Sequence, residues 1–218
     1  MQLPLGWLGS ALSLLALTCG GTEGLPTKHD SKPFILDDWE LVAASNLALS
    51  SVCTTEPDSA VTITGKPTGY LQSKHVYTNY RATFEWRWSG APGNSGLLVH
   101  IGSGPIDRNT WPLCVQIQLK HGNAGDVLPM AGASCAEVSV VAGSTRPPQM
   151  NHLASDSEAV VGEWNRCELV AKAGTIDFVL NGVVQSHVTH CVPSSGRIGF
   201  QLEGAPFQLR NISIEESP

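Results

Sequence analysis

The chain has few charged residues: only 15% of its 218 residues are Asp, Glu, Lys or Arg. Its formal net charge is −6, and Lys and Arg form no cluster anywhere in the sequence. A protein that binds a phosphate backbone needs a basic surface, so nucleic acid is excluded as the expected partner. Sparse charge is also typical of proteins that work outside the cytoplasm.

Paired-cysteine motifs are absent as well. The six cysteines contain no Cys-x-x-Cys, so neither a zinc ribbon nor a thioredoxin-like site is indicated. Five cysteines remain after Cys19, an odd number that leaves at least one free thiol or an intermolecular bond. An oxidising compartment would allow one or two disulfides, whose pairing the sequence does not define.

No apolar run is long enough to span a membrane. The longest begins at Leu3, is interrupted by Gly and Ser, and ends at Thr18-Cys19-Gly20-Gly21. This pattern predicts a signal peptide over residues 1–21, followed by a linker over 22–33. Either Cys19 is the lipidated first residue of a bacterial lipoprotein, or cleavage beside Gly20 or Gly21 releases a free chain. The expected location is therefore periplasmic, outer-membrane-anchored or secreted, with membrane contact only through a lipid on Cys19.

Helical periodicity is also missing, and strands and turns account for nearly all of residues 34–216. Asn181-Gly182 is the clearest turn, because this pair suits a two-residue type I′ hairpin. The pattern predicts an all-β fold, an antiparallel two-sheet sandwich of the jelly-roll type. Its predicted strands are Trp39–Ala43, Ala60–Thr64, Gly69–Ser73, Tyr80–Trp88, Gly96–Ile101, Cys114–Lys120, Glu137–Val141, Asn165–Ala171, Thr175–Leu180, Val183–His187, Gly196–Glu203 and Phe207–Glu215.

Several of these strands alternate apolar residues with amides, carboxylates and guanidinium groups. Because side chains alternate across a strand, one polar face would carry the following residues: Glu85, Arg87, Gln116, Gln118, Arg197, Gln201 and Glu203. If the strands share a sheet, these groups converge on one concave surface suited to a ligand rich in hydroxyl groups. A merely solvated face of an antiparallel sheet is the alternative interpretation.

An ordered series of short motifs resembles the 3-keto-disaccharide hydrolase domain family over about residues 34–216. The motifs are Gly69-Tyr70-Leu71, Tyr77-x-x-Tyr80, Glu85-Trp86-Arg87-Trp88, Gly93-Asn94-Ser95-Gly96, Trp111-Pro112, Gln118-Leu119, Gly122-Asn123-Ala124-Gly125-Asp126, Gly162-Glu163-Trp164-Asn165, Leu180-Asn181-Gly182, Gly196–Gly204 and Arg210-Asn211-Ile212. The resemblance implies a concanavalin-A-like jelly roll in an exported protein that acts on glycosides oxidised to a ketone at carbon 3. Gln116 stands where the family has Glu, and His100 stands where it often has Arg or His.

The chemistry implied by this resemblance needs a base, an acid and hydrogen-bond donors. A ketone at carbon 3 acidifies the hydrogen on carbon 2, so a carboxylate or His can remove it and the substituent on carbon 1 then leaves. The residues expected to do this are Glu85, Glu203 and His100, with Asp126 as a further candidate. Substrate binding is expected from Arg87, Asn94, Gln116, Gln118, Arg197 and Gln201.

Two functions remain open at this stage: an enzyme that acts on 3-keto-glycosides, and a non-catalytic carbohydrate-binding module. No residue is assigned as a metal ligand, although the chemistry would allow a divalent cation. The sequence does not define the oligomeric state.

Overall fold

The computed structural model describes residues 35–44, 46–102, 111–140 and 147–218. The predicted signal peptide (1–21), the linker (22–33) and Cys19 lie outside these residues, so their assignment remains a prediction. Within the described residues there are two short 3₁₀ helices, Leu36–Asp38 and Leu49–Ser51, and no α-helix. No helix in this part of the chain is long and apolar enough to cross a bilayer.

Thirteen strands are present in the described residues. They are β1 (Trp39–Ala43), β2 (Cys53–Thr55), β3 (Val61–Ile63), β4 (Gly69–Ser73), β5 (Tyr80–Trp88), β6 (Gly96–Ile101), β7 (Cys114–Gln118), β8 (Val127–Met130), β9 (Asn165–Lys172), β10 (Thr175–Leu180), β11 (Val183–Val188), β12 (Arg197–Leu202) and β13 (Phe207–Glu216). Sheet A has the order β1-β4-β12-β6-β7-β8, and sheet B has the order β11-β10-β9-β5-β13-β3-β2. Every strand pairing is antiparallel. The predicted all-β, antiparallel two-sheet fold is confirmed.

The two sheets meet through aromatic side chains. Strand β5 alternates buried Phe84, Trp86 and Trp88 with partly exposed Glu85 and Arg87. The Phe84 ring lies edge-on to Phe200 of β12, with 5.2 Å between the ring centroids. Because Phe84 belongs to sheet B and Phe200 to sheet A, this contact marks the apolar layer between them.

The turn between β10 and β11 has the conformation that the sequence predicted. Asn181 and Gly182 adopt positive φ values of 51° and 83°, which is the requirement of a type I′ turn. This turn fixes the register in which Leu180 faces Val183.

One predicted strand is wrong and two real strands were not predicted. The described part of Glu137–Val141 is a turn followed by irregular chain, and Val141 itself is outside the described residues. The Glu137 carboxylate accepts bonds from the Thr189 backbone N at 2.8 Å and from Thr189 Oγ1 at 2.7 Å, which holds the segment as a turn. The missed strands are β2 and β8. Strand β8 contains Pro129, which is tolerated because β8 is an edge strand of sheet A.

Candidate functional site

The candidate site lies on the outer face of sheet A, the face turned away from sheet B. Its middle strands carry the three glutamines at positions whose pairing the register fixes: Gln116 faces Leu98, Gln118 faces Gly96, and Gln201 faces Tyr70. The residues between them, such as Val115 and Ile117, point into the layer between the sheets. Strand alternation therefore places the glutamines on the outer face.

Five polar side chains on this face form a hydrogen-bonded group, here called the amide cluster: Asn94, Gln116, Gln118, Gln201 and Glu203. Gln116 Nε2 donates to Gln118 Oε1 at 3.0 Å and to Gln201 Oε1 at 3.2 Å. Gln201 Nε2 donates to Glu203 Oε2 at 2.7 Å, and Asn94 Nδ2 donates to the same oxygen at 2.8 Å. The cluster thus links the Glu203 carboxylate to four amides, Asn94 and Gln201 directly and Gln116 and Gln118 through Gln201.

A glycine on β6, Gly96, allows the side chains of Gln116 and Gln201 to meet. Gln201 is on β12 and Gln116 is on β7, so strand β6 lies between them. A Cβ atom at Gly96 of β6 would stand 2.7 Å from Gln116 Nε2, closer than such contacts occur. Because Gly96 has no side chain, Gln116 can extend over β6 towards Gln201.

Two buried acceptors of the amide cluster have no hydrogen-bond partner in the part of the chain that the structure describes. Gln116 and Gln201 are each only 2% exposed. Among the described residues, Gln116 Oε1 and Asn94 Oδ1 have no hydrogen-bond partner. A buried acceptor without a partner costs about 1–3 kcal/mol, so a ligand hydroxyl that donated to it would be favoured.

Glu203 is the acidic member of the amide cluster. It directly follows β12, and one side of it faces solvent. Burial raises the pKa of its carboxyl above the ordinary value of 4.5, while the ammonium group of Lys120 opposes the shift. A carboxyl with a raised pKa holds and releases a proton closer to neutral pH than an ordinary one.

A cavity of about 450 Å³ opens on the same face beside the amide cluster. Tyr70, Gln72, Ile101 and Arg197 are among its lining residues. Arg197 Nη1 donates to Ser73 O at 3.0 Å and to Lys74 O at 2.7 Å, which fixes the guanidinium group at the cavity wall. Since Tyr70 faces Gln201 in the strand register, the cavity and the cluster are neighbours.

The Tyr70 hydroxyl is a neutral donor at this cavity. Burial, with smaller contributions from the nearby Cys114 and Glu40, raises its pKa to about 12 against the lowering effect of Arg197. The hydroxyl therefore keeps its proton at neutral pH and can donate it in a hydrogen bond to a ligand oxygen.

The sequence pattern of one domain family, described as "3-keto-alpha-glucoside-1,2-lyase-like domain", matches residues 32–215. The chain belongs to this family. A comparison with curated proteins gives no match.

Solved structures with the same fold include three carbohydrate-related proteins. A protein of Parabacteroides distasonis, provisionally described as a glycosyl hydrolase, has a TM-score of 0.61 and 18% identity, over 84% of this chain and 90% of that one. The carbohydrate-binding module CBM66 of Bacillus subtilis has a TM-score of 0.57 and 10% identity, over 82% and 96%. The family 7 alginate lyase A1-II′ has a TM-score of 0.55 and 15% identity, over 86% and 99%. At these identities the likeness establishes the fold, and the predicted jelly roll is confirmed.

Six of the nine predicted site residues lie on or beside the outer face of sheet A. They are Asn94, Gln116, Gln118, Arg197, Gln201 and Glu203. Asn94 is on the loop before β6 and Arg197 lines the cavity. Their roles in binding or catalysis remain predictions.

The placement predicted for Glu85 and Arg87 is wrong. Both are on β5, which belongs to sheet B, and both point away from sheet A because Phe84, Trp86 and Trp88 fill the inner side. Glu85 Oε2 accepts bonds from Arg210 Nε at 2.5 Å and from Asn211 Nδ2 at 3.2 Å. The two outer faces are separated by the whole thickness of the sandwich, so Glu85 cannot act together with Gln116.

Arg87 and Arg210 enclose an aromatic ring on the outer face of sheet B. The guanidinium carbons lie 4.4 Å and 4.0 Å from the centroid of the Trp164 ring. Arg87 Nε also donates to Gln208 Oε1 at 2.7 Å. These contacts are cation–π and hydrogen-bond interactions that stabilise the sheet.

His100 also lies away from the predicted polar face. The residue takes a positive φ of 56° at a register shift between β12 and β6, and this turns its ring towards the core tyrosine Tyr80. The ring centroids of His100 and Tyr80 are 5.8 Å apart. Burial lowers the pKa of the imidazole below 6.5, although hydrogen bonds to the carbonyls of Pro193 and Thr78 oppose the shift. His100 is thus a neutral core residue.

Asp126, the further candidate, is a buried anchor beside the amide cluster. Its backbone oxygen accepts a bond from Gln118 N at 2.8 Å. Its carboxylate accepts bonds from His152 Nδ1 at 2.6 Å and from Gln149 Nε2 at 2.8 Å. These bonds hold the loop around His152 against the start of β8.

Residues that the sequence analysis did not select include Tyr70, Gln72 and Glu40. Gln72 Nε2 donates to Glu40 Oε1 at 2.6 Å, and Arg197 Nη1 lies 3.6 Å from the same oxygen. The alternation Tyr70-Leu71-Gln72 was the available signal, because it repeats the pattern of the glutamine strands. Among the described residues, no group of three or more His, Cys, Asp or Glu could hold a metal ion.

Proposed function

We propose that the outer face of sheet A binds a glycoside oxidised at carbon 3 and cleaves it by elimination. The observation that carries this proposal is the amide cluster, which connects buried glutamines to one carboxylate of raised pKa. Membership of the 3-keto-alpha-glucoside-1,2-lyase-like family supports a carbohydrate-related function. The carbohydrate relatives of the same fold are consistent with it.

Glu203 is the proposed acid–base group. Its ionised carboxylate takes the hydrogen from carbon 2 of the sugar, and the electron pair of that C–H bond enters the enolate of the C3 ketone. The enolate then collapses to a C1=C2 double bond, the C3 ketone reforms, and the bond between carbon 1 and the leaving oxygen breaks. The same carboxyl can return its proton to that oxygen. Water can add to the double bond in a later step.

The neighbouring polar groups are proposed to hold the sugar. The free acceptors Gln116 Oε1 and Asn94 Oδ1 suit sugar hydroxyl groups. The Tyr70 hydroxyl and the Arg197 guanidinium group offer donors at the adjacent cavity, where an enolate oxygen would gain stabilisation. Among the described residues, Glu203 is the one carboxylate of the amide cluster, which fits elimination better than hydrolysis by two carboxylates.

A chromogenic 3-keto-glucoside provides the direct test. The purified protein is incubated with 4-nitrophenyl 3-keto-α-glucoside and with unoxidised 4-nitrophenyl α-glucoside, with and without a chelator. We expect release of nitrophenol from the oxidised substrate alone. Equal cleavage of both glucosides would contradict the elimination mechanism, because only the ketone acidifies carbon 2. Loss of release with the chelator would show that a divalent cation takes part.

A non-catalytic carbohydrate-binding function is the second candidate. It is favoured by Gln116, an amide at the position where the resemblance has Glu, and by the pairing of the amides with one another. Calorimetric binding of a 3-keto-glucoside without any turnover would support this function over the first.

Export remains a separate proposal that rests on residues 1–21. We propose that these residues direct the chain out of the cytoplasm and are cut off before Cys19 or beside Gly20 or Gly21. Mass spectrometry of protein from its native cell tests this: a mature N-terminus near Cys19, Gly20 or Gly21 is expected. A lipid on Cys19 would distinguish the lipoprotein from the free form, and an intact Met1 would contradict both.

A further inference from the structure

Two buried cysteines, neither of them part of the amide cluster, lie in contact with each other. Cys135 and Cys191 are 5% and 2% exposed, and their Sγ atoms are 3.0 Å apart. They are 56 positions apart in the sequence. The other described cysteines, Cys53, Cys114 and Cys167, belong to three different strands, β2, β7 and β9.

The backbone directly beside this pair forms an antiparallel bridge. Ser134 N donates to Val192 O at 2.9 Å, and Val192 N donates to Ser134 O at 2.8 Å. Ser134 and Val192 are therefore a hydrogen-bonded pair. In the register of this bridge, Cys135 and Cys191 are the next residues to face each other. In a non-hydrogen-bonded pair of this kind the Cα atoms are about 4.5 Å apart and both side chains leave on one side. This separation lies within the range of about 4.4–6.8 Å that disulfides span.

The loops that carry the cysteines are held in place by further bonds. Cys191 N donates to Gly174 O at 2.8 Å, and Ala136 N donates to Thr189 O at 2.8 Å. Cys135 follows β8 of sheet A, whereas Cys191 follows β11 of sheet B. A covalent bond between them would connect the two sheets.

We propose that Cys135 and Cys191 form a disulfide bond that links the loop after β8 to the loop after β11. The reaction joins the two sulfurs, releases two protons, and passes two electrons to a disulfide oxidant such as oxidised glutathione, which becomes two thiols. One thiolate attacks the oxidant to give a mixed disulfide, and the second thiolate displaces the oxidant's remaining half. The hydrogen bond from Cys191 Sγ to Cys135 Sγ, at 3.0 Å, already holds the two sulfurs within reach of each other for the second step.

This bond would explain how the odd set of cysteines is used. It pairs the two residues whose sulfurs already touch, and it leaves Cys53, Cys114 and Cys167 as separate buried thiols. Since a cross-link constrains the unfolded chain more when it closes a longer loop, a span of 56 positions makes it strongly stabilising.

Peptide mapping of the full chain tests the pairing without any variant. The protein is refolded with oxidised glutathione, unfolded without reductant, labelled with N-ethylmaleimide, digested and analysed by mass spectrometry. We expect a peptide pair joined through Cys135 and Cys191, and labels on Cys53, Cys114 and Cys167. Labels on both Cys135 and Cys191, or a bond from either to another cysteine, would overturn the proposal.

Thermal unfolding of variants separates this bond from other oxidation. Oxidised wild type should unfold about 5 °C or more above the reduced protein, the scale expected when a long loop is closed. The double variant Cys135→Ser/Cys191→Ser should lose this difference, while the control Cys53→Ala should keep it. A difference that persists in the double variant would assign the stabilisation to other cysteines and would overturn the proposal.

Discussion

At the scale of single residues, the proposed chemistry depends on Glu203. Two amide groups, from Asn94 and Gln201, donate to one of its carboxylate oxygens. Burial nevertheless raises its pKa above 4.5, so ionising this group costs the folded protein free energy. A proton that is easily returned is useful to a base that must also act as an acid.

This cost predicts a pH-dependent effect of Glu203→Gln on stability. A carboxyl whose pKa is raised by folding favours the folded state while it is protonated, and this contribution is lost as the pH rises through the raised pKa. The neutral variant avoids the loss. We therefore expect Glu203→Gln to unfold at a higher temperature than wild type near pH 7, with the difference disappearing below about pH 4. Calorimetric melting between pH 4 and 7 measures it, and a lower melting temperature for the variant at pH 7 would show that burial does not dominate at this site.

A second residue-scale prediction concerns Gln116→Glu. Gln116 Nε2 donates two bonds, to Gln118 Oε1 and Gln201 Oε1, and a carboxylate has no hydrogen to donate. The substitution would bury a negative charge against two acceptors. We expect the free energy of unfolding to fall by about 1–3 kcal/mol at pH 7, the cost of leaving a buried polar group unsatisfied. The loss should be smaller at pH 4, where the new carboxyl is protonated.

Urea unfolding at both pH values checks this prediction, with Gln116→Met as the control of similar length that introduces no charge. Equal stability of Gln116→Glu and wild type at pH 7 would mean that Gln118 and Gln201 turn their amides to accommodate a carboxylate.

At the scale of strands, the central element is the middle of sheet A, where Gly96 lets the glutamines meet. A Cβ at Gly96 would lie 2.7–2.9 Å from three atoms of the Gln116 side chain. Gly96→Ala should therefore displace the Gln116 amide while β6 keeps its ladder with β7 and β12. The expected result is weaker binding of a 3-keto-glucoside, by about tenfold if one good hydrogen bond is lost.

Gly90→Ala is the matched control for Gly96→Ala, because no heavy atom lies within 4 Å of a Cβ built at Gly90. Titration calorimetry of both variants distinguishes the account from a general effect of alanine. Equal affinities of Gly96→Ala and Gly90→Ala would indicate that the amide cluster does not contact the ligand.

Local sequence patterns predicted most strand positions correctly but did not show which sheet each strand belongs to. Alternation around Trp86 and around Ile117 correctly identified β5 and β7, and Asn181-Gly182 identified the β10–β11 hairpin. The same alternation cannot say which sheet a strand joins, because that depends on distant pairing: β5 pairs with β9 and β13, whereas β7 pairs with β6 and β8. Glu85 was therefore grouped with Gln116, although the two lie on opposite outer faces.

The site could be predicted from sequence only in part, for a similar reason. Gln116, Gln118 and Gln201 share a face by simple alternation once their strands share a sheet. His100 was misplaced because the register shift at this residue turns its side chain inwards, and alternation assumes a regular strand. Tyr70 and Gln72 were missed because they join the site only through the pairing of β4 with β12, which the sequence does not show.

At the scale of the whole molecule, the two outer faces of the sandwich differ in chemistry. Charged side chains on the face of sheet B form salt bridges with one another, such as Arg210 with Glu85 and Arg81 with Glu168. The face of sheet A carries buried amides, two of whose acceptors have no partner among the described residues, beside a cavity. A neutral, hydroxyl-rich ligand suits the second face, since it needs hydrogen-bond partners rather than counter-charges.

The most direct test of this account is exchange of the hydrogen on carbon 2 in deuterated water. The probe is a 3-keto C-glucoside, whose carbon-linked substituent cannot leave, so proton removal is observed alone by NMR. We expect wild type to accelerate exchange at carbon 2 over carbon 4. Glu203→Gln should slow it by about a hundredfold, the usual effect of removing a general base, and Glu85→Gln should leave it unchanged. Exchange that is lost in Glu85→Gln and kept in Glu203→Gln would contradict the assignment of the site to the outer face of sheet A.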